Sequence, residues 1–182
     1  MKLINKINLG NFIVSEDKIH VSDPCYSYDI WCTETINNVL PGDYNAKMEK
    51  ISDEGYWGER VSRLIINHKD YPDINPNIFV SGKIGVDSGQ AGFFDDNYYK
   101  ENQGGEFDNY DSFYGKICRL TLSDNQGGII DNKGVVSSSG YGDGNYELYI
   151  GKNKDNKVVS ACLVFIDDEQ RRFLKMYLTK KN

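Results

Sequence analysis

Three stretches of this sequence carry side chains suited to binding chemistry, and they share one pattern. Each begins with lysine, runs through apolar residues to a valine, and ends in small polar residues: KIHVSDPCY (Lys18–Tyr26), KIGVDSGQ (Lys83–Gln90) and KGVVSSSGYGDG (Lys133–Gly144). Their candidate ligand-binding residues are Asp23, Cys25 and Tyr26 in the first and Asp87, Ser88 and Gln90 in the second. In the third they are Ser138, Ser139, Gly140, Tyr141 and Asp143. Glycine admits positive φ and leaves the backbone uncovered. Successive N–H groups can then line a concavity that holds an anion. Serine, aspartate and glutamine add directional donors and acceptors, and the tyrosines offer faces for a planar ring. Any one such loop reads equally as a capped turn. Three alike, each following a strand, point to one shared pocket, because binding residues concentrate in loops on a rigid scaffold.

A fourth stretch, EGYWGERVSR (Glu54–Arg63), reads as the tip of a β-hairpin. Tyr56 and Trp57 could cover a planar ligand there, with Arg60 and Arg63 supplying charge. Strand parity sends Arg60 and Arg63 to opposite faces. Trp57 could equally anchor the tip in the core, since tryptophan is mostly buried on average.

Covalent and metal chemistry find less support. The only histidines are His20 and His68, and no G-x-S-x-G elbow surrounds Ser137–Ser139. Cys25 has no partner that would lower its pKa. Asp23, Asp87, Asp95, Asp96 and Asp143 could offer oxygen ligands to Mg²⁺ or Ca²⁺, but their spacing is not that of an EF-hand. Capping of turn N–H groups accounts for them as well. The four cysteines, Cys25, Cys32, Cys118 and Cys162, include no C-x-x-C pair for zinc. They are expected as reduced thiols, with Cys118 and Cys162 buried. No P-loop or dinucleotide fingerprint occurs, and no cofactor is expected.

Composition narrows the partners. The 182 residues carry 21 basic and 27 acidic side chains, a net charge of −6. That argues against a duplex nucleic-acid binder, which needs a basic face, and against binding an anionic membrane surface. No apolar run reaches the roughly 20 residues of a membrane span. Polar residues interrupt Met1–Gly10, so it does not read as a signal peptide. The expectation is a soluble, cytoplasmic protein. With four prolines and no low-complexity linker, residues 1–182 read as a single domain.

The elements that must position these loops are mostly strands. Alternation or β-rich composition predicts strands at Phe12–Val14, Lys18–Val21, Asn45–Ile51, Arg60–Ile66, Ile78–Val80, Tyr146–Ile150 and Val158–Ile166, and in FLKMYL near the C-terminus. Apolar spacing predicts a helix over Tyr110–Leu122 and a short one within Asp29–Leu40, stopped by Pro41-Gly42. The expected fold is mainly β (α+β): a twisted antiparallel sheet, sandwich or barrel with one or two packed helices.

GVDSGQAGFFD (Gly85–Asp95) and SSSGYGDGNYELYIGKNKDNKVV (Ser137–Val159) resemble the signature segments of a bacterial and phage family, the domain-of-unknown-function family numbered 4241. The resemblance covers Ile84–Ile166 and extends to the VSDPCY segment. It implies fold kinship. The family has no settled activity, so it implies no catalytic role. The function expected from the loops is that of a non-enzymatic domain binding a small polar, nucleotide-like ligand, as in a phage protein that sequesters a signalling nucleotide. The alternatives are a metal-dependent phosphoester hydrolase using Asp23, Asp87 and Asp143, and a protein-interaction or immunity module with an aromatic interface. Oligomeric state is not legible in the sequence.

Overall fold

The computed structural model describes residues 2–53, 57–76 and 79–167. Its elements in chain order are β1 (Lys2–Val14), β2 (Lys18–Ser22), β3 (Glu34–Asn37), β4 (Gly42–Asp53), β5 (Gly58–His68), β6 (Phe79–Val86) and β7 (Gln90–Asp95). Helices α1 (Asp96–Asn102) and α2 (Phe113–Thr121) follow, then β8 (Gly127–Ile130), β9 (Gly134–Ser138), β10 (Gly144–Lys152) and β11 (Val158–Val164). The strands form two antiparallel sheets, ordered β1-β4-β5-β11-β10-β6 and β3-β2-β7-β9-β8. They pack as an open sandwich and do not close into a barrel.

Side-chain alternation explains the layering. In β2 and β7, Val21 pairs with Phe93 and His20 pairs with Phe94. Opposite residues share a face, so Val21 and Phe93 turn inward. They join Phe12, Tyr44, Met48, Leu64, Ile84 and Leu148 of the first sheet in the main core. His20 and Phe94 turn to the other face. There Phe94, Ile130 and Val136 meet Tyr99 of α1 and Phe113 and Ile117 of α2. The five-stranded sheet is thus covered on both sides, and every residue of β7 is buried.

Caps set the helix bounds. The Asp95 side chain accepts a bond from the Tyr98 N–H and begins α1. The Ser112 hydroxyl accepts from the Gly115 N–H and begins α2. The helix expected at Tyr110–Leu122 is therefore present but starts at Phe113, and α1 was not foreseen as a separate element. The helix expected within Asp29–Leu40 does not form. Turns lead instead to β3, which pairs with β2, and Val39 makes a parallel bridge to Val158. Thr33, Thr35, Ile36 and Val39 are β-branched, and an open sheet edge gives them a partner. Trp31, counted in the helical spacing, is 92% exposed.

The hairpin β4–β5 is as expected, although Tyr56 and the rest of 54–56 lie outside the described residues, as do Ile78 and FLKMYL. One detail differs. Arg63 sits opposite Glu49 and Val61 opposite Lys50, so a bulge at Ser62 adds a residue to β5. Strand parity then no longer separates Arg60 from Arg63.

The core makes a direct prediction. Leu64 is fully buried in a central strand, whereas Val80 is 62% exposed. Leu64→Ala is expected to cost about 2–5 kcal/mol in urea unfolding. Val80→Ala is expected to stay within roughly 0.5 kcal/mol of the native protein.

Candidate functional site

All three loops meet at one end of the sandwich, and Asp23 joins the first two. It follows β2, is fully buried, and accepts four hydrogen bonds. Oδ1 accepts from the Cys25 N–H at 2.9 Å and the Ser88 hydroxyl at 2.6 Å. Oδ2 accepts from the N–H groups of Asp87 at 2.9 Å and Ser88 at 2.7 Å. The bond to Cys25 is an Asx turn, which Asp followed by Pro24 favours. The other three stitch the end of β2 to the turn between β6 and β7. A buried carboxylate needs such company, because desolvating it without partners is costly.

The rest of the loop end is braced in the same way. The Tyr26 hydroxyl donates to Asp87 Oδ2 at 2.6 Å, and burial followed by that bond raises its pKa. From α1, the Tyr99 hydroxyl donates to the Tyr26 carbonyl at 2.7 Å. Gln90 is buried, donates to the Ser88 hydroxyl at 3.3 Å, and accepts from Thr121 of α2 at 2.8 Å. The third loop joins through the Ser139 N–H, which donates to the Gly89 carbonyl at 3.0 Å. Within it, the Ser139 and Tyr146 hydroxyls both donate to the Gly142 carbonyl. Gly140 has φ +60°, and a Cβ there would lie 3.0 Å from Phe165 Cβ. Only glycine combines that backbone with that contact. Gly142, at φ +111°, has open space where a Cβ would stand.

The candidate residues therefore divide. Asp23, Ser88, Gln90, Ser138, Ser139 and Gly140 serve the framework, Ser138 through its N–H bond to the Gln126 carbonyl. Asp87, Asp143, Cys25, Tyr26 and Tyr141 form the rim. Asp23, fully buried, lies between the first two loops and holds them together.

Trp57 and Arg60 join this rim from the β4–β5 hairpin. Trp57 is 57% exposed and does not anchor the core. Its ring stands edge-on to Tyr141, with centroids 6.1 Å apart and planes at 75°. The Arg60 guanidinium lies over the Trp57 ring, 5.7 Å from its centroid. Beside the third loop, a cavity of ≈ 200 Å³ is lined by Lys83, Asn145, Tyr146, Glu147, Val164, Phe165 and Asp167.

Cys25 is exposed, yet desolvation of its sulfur, and then the neighbouring Asp23 carboxylate, push its thiol up to about 12. Such a thiol is a poor nucleophile at neutral pH. Cys118 and Cys162 are buried, as expected, and so is Cys32. Among the described residues, no three His, Cys, Asp or Glu side chains gather as metal ligands. No helix among them is long and apolar enough to cross a membrane.

Sequence reasoning missed Tyr99 and Tyr146, the two tyrosines whose hydroxyls brace the loops. Asp95-Asp96 ahead of Asn97-Tyr98-Tyr99 is a helix-start signal that would have placed Tyr99 on α1. Nothing local marks Tyr146 as a brace, because its partners Ser139 and Gly142 are set by a tight turn.

Fold and loop end together define an open β-sandwich, helix-covered on one side, that presents an aromatic and arginine rim on a hydrogen-bonded loop framework. The chain belongs to the family described as protein of unknown function (DUF4241), whose pattern matches residues 12–164. Comparison with curated proteins found no match, and comparison with solved structures found none.

Asp23→Asn keeps the size of the side chain but turns an acceptor into a donor facing N–H groups. It is expected to cost roughly 2–4 kcal/mol in urea unfolding. Asp143→Asn, on an exposed residue, is expected to stay within about 0.5 kcal/mol of the native protein. The same Asp23 variant removes the charge that helps suppress the Cys25 thiolate. Labelling of Cys25 at pH 8 should be slow in the native protein and several-fold faster in Asp23→Asn. Fast native labelling would contradict the placement of the sulfur beside Asp23.

Proposed function

We propose that the protein is a non-enzymatic binding domain whose loop end takes a small, polar ligand with a planar ring, of the nucleotide kind. The observation that carries this reading is the convergence of Trp57, Arg60 and Tyr141. They come from two segments far apart in sequence, Trp57 and Tyr141 exposed and Arg60 half-buried beside them. Two aromatic rings set at a steep angle make a corner that a third ring can enter, stacking on one and meeting the edge of the other. Base–aromatic stacking is worth about 1–3 kcal/mol per base. Arg60 supplies a planar cation suited to a phosphate or carboxylate. Asp87 and Asp143 supply acceptors for hydroxyl and amino groups. Beneath them the framework around Asp23 holds the loops in place before binding, which lowers the ordering cost.

Sequestration of a nucleotide signal fits such a site, since binding without turnover needs no nucleophile or metal. The hydrolase alternative lacks a carboxylate set: Asp23 has spent its lone pairs on three N–H groups and a hydroxyl. Trp, Tyr and Arg are also the residues that dominate protein interfaces, so a protein partner is the competing reading.

Calorimetric titration with purine and pyrimidine mononucleotides and dinucleotides tests the proposal. Binding is expected for at least one, with no product formed. Trp57→Ala and Tyr141→Ala should each weaken it by roughly 5–100-fold without lowering the melting temperature. Absence of binding across the panel would remove the small-ligand reading and leave the protein partner.

A further inference from the structure

We propose that His20 is an acid-triggered latch: its protonation loosens α1 and the Ser22–Tyr26 loop, and with them the loop end. His20 lies on the face of β2 turned away from the main core, and it is 1% exposed. Its imidazole packs against the tilted rings of Tyr99, with centroids 4.2 Å apart, and Tyr28, 4.9 Å apart. Neither ring nitrogen has a hydrogen-bond partner among the described residues. A neutral imidazole survives there as an aromatic filler. An imidazolium would present two N–H donors and a full charge with nothing to receive them.

The carboxylates around it, Asp96 and Asp29, offset the cost of burying that charge only in part. From α1 come Asp96 and Lys100, and from the loop after β2 come Tyr28 and Asp29. Asp96 is already engaged: Oδ1 accepts from the Tyr28 hydroxyl at 3.0 Å, and Oδ2 pairs with Lys100 at 2.7 Å. Lys100 also lies over the Tyr28 ring, 4.6 Å from its centroid. The residues opposite His20 in the sheet, Thr35 and Phe94, are uncharged. To meet Asp96 or water, a charged His20 must displace one of the two tyrosines.

That displacement reaches the loop end through Tyr99. The hydroxyl of the ring that packs on His20 donates to the carbonyls of Tyr26 at 2.7 Å and Asp23 at 3.3 Å. Moving Tyr99 therefore removes these ties and loosens the segment that carries the Asp23 carboxylate.

The sign of the effect follows from linkage. Burial lowers the His20 pKa from 6.5 to about 4. An opened form, with an ordinary imidazole, binds the proton more readily. The closed form is then fully favoured above pH 6.5 and loses that advantage as the pH falls toward 4. Between pH 7.5 and 4.5 the opening equilibrium should rise on the order of 50-fold.

Two measurements test the latch. The chain has only two histidines, so proton NMR of the imidazoles can follow His20 directly. Hydrogen exchange at pH 7.5 and 4.5, corrected for intrinsic rates, reads the opening. Expected are a His20 pKa well below 6 and lost protection at low pH in residues 20–29 and 96–102, with the β4–β5 hairpin still protected. In His20→Phe, which keeps the ring and removes the proton site, that local loss should be absent. A His20 pKa near 6.5 overturns the proposal. So does local loss of equal size in His20→Phe, or loss of protection spread evenly over the protein. If His20→Phe does not fold, the native titration and the localisation of exchange decide alone.

Discussion

A single buried carboxylate organises the loop end of this protein. Asp23 has no solvent exposure, and its four hydrogen bonds reach its own turn and the one after β6. The two sheets contribute separately to that end: β2 belongs to the five-stranded sheet and β6 to the six-stranded one. Asp23 therefore ties the sheets together where their strands finish. The third loop hangs on the same turn through Ser139 and Gly89. Tyr141, on that third loop, meets Trp57 of the β4–β5 hairpin through their ring contact.

The three-layer arrangement adds a second level of control. Covering the outer face of the five-stranded sheet with α1 and α2 buries Phe94 and Tyr99, and it also buries His20. A polar residue in that position is tolerated only while neutral. The helices thus shield the sheet and also brace the loops, α1 through Tyr99 and α2 through Thr121 and Gln90. The loop framework and the helix packing share Tyr99 and Gln90, so a disturbance in one is felt in the other.

Much of this was legible in the sequence. Period-two alternation located strands of the β4–β5 and β10–β11 pairs, and the repeated pattern of valine followed by small polar residues picked out the three loops that the fold brings together. The family followed from the Val-Asp-Ser-Gly and Ser-Gly-Tyr-Gly-Asp-Gly-x-Tyr segments and holds over residues 12–164. Residue types did not reveal how these side chains divide between framework and rim. Asp23 and Asp143 look alike in sequence, yet one is fully buried and the other exposed. Burial of that kind depends on which turn packs on which, a tertiary property. The false helix at Asp29–Leu40 has the same origin: apolar spacing suited a helix, but the free edge of β2 was the better partner. The bulge at Ser62 defeated the parity argument for Arg60 and Arg63 because bulges leave no reliable mark in a single sequence.

The central claim is that this rim, resting on the Asp23 framework, is where a planar ligand binds. Amide and indole NMR spectra recorded during addition of a nucleotide mixture test it most directly. The account predicts shifts confined to the Trp57 indole, Arg60, Tyr141 and the amides of residues 22–26, 87–90 and 137–144. Shifts concentrated elsewhere, for example in the groove between α2 and β8 lined by Lys116, Arg119 and Ile129, or an unchanged spectrum at millimolar nucleotide, would contradict it.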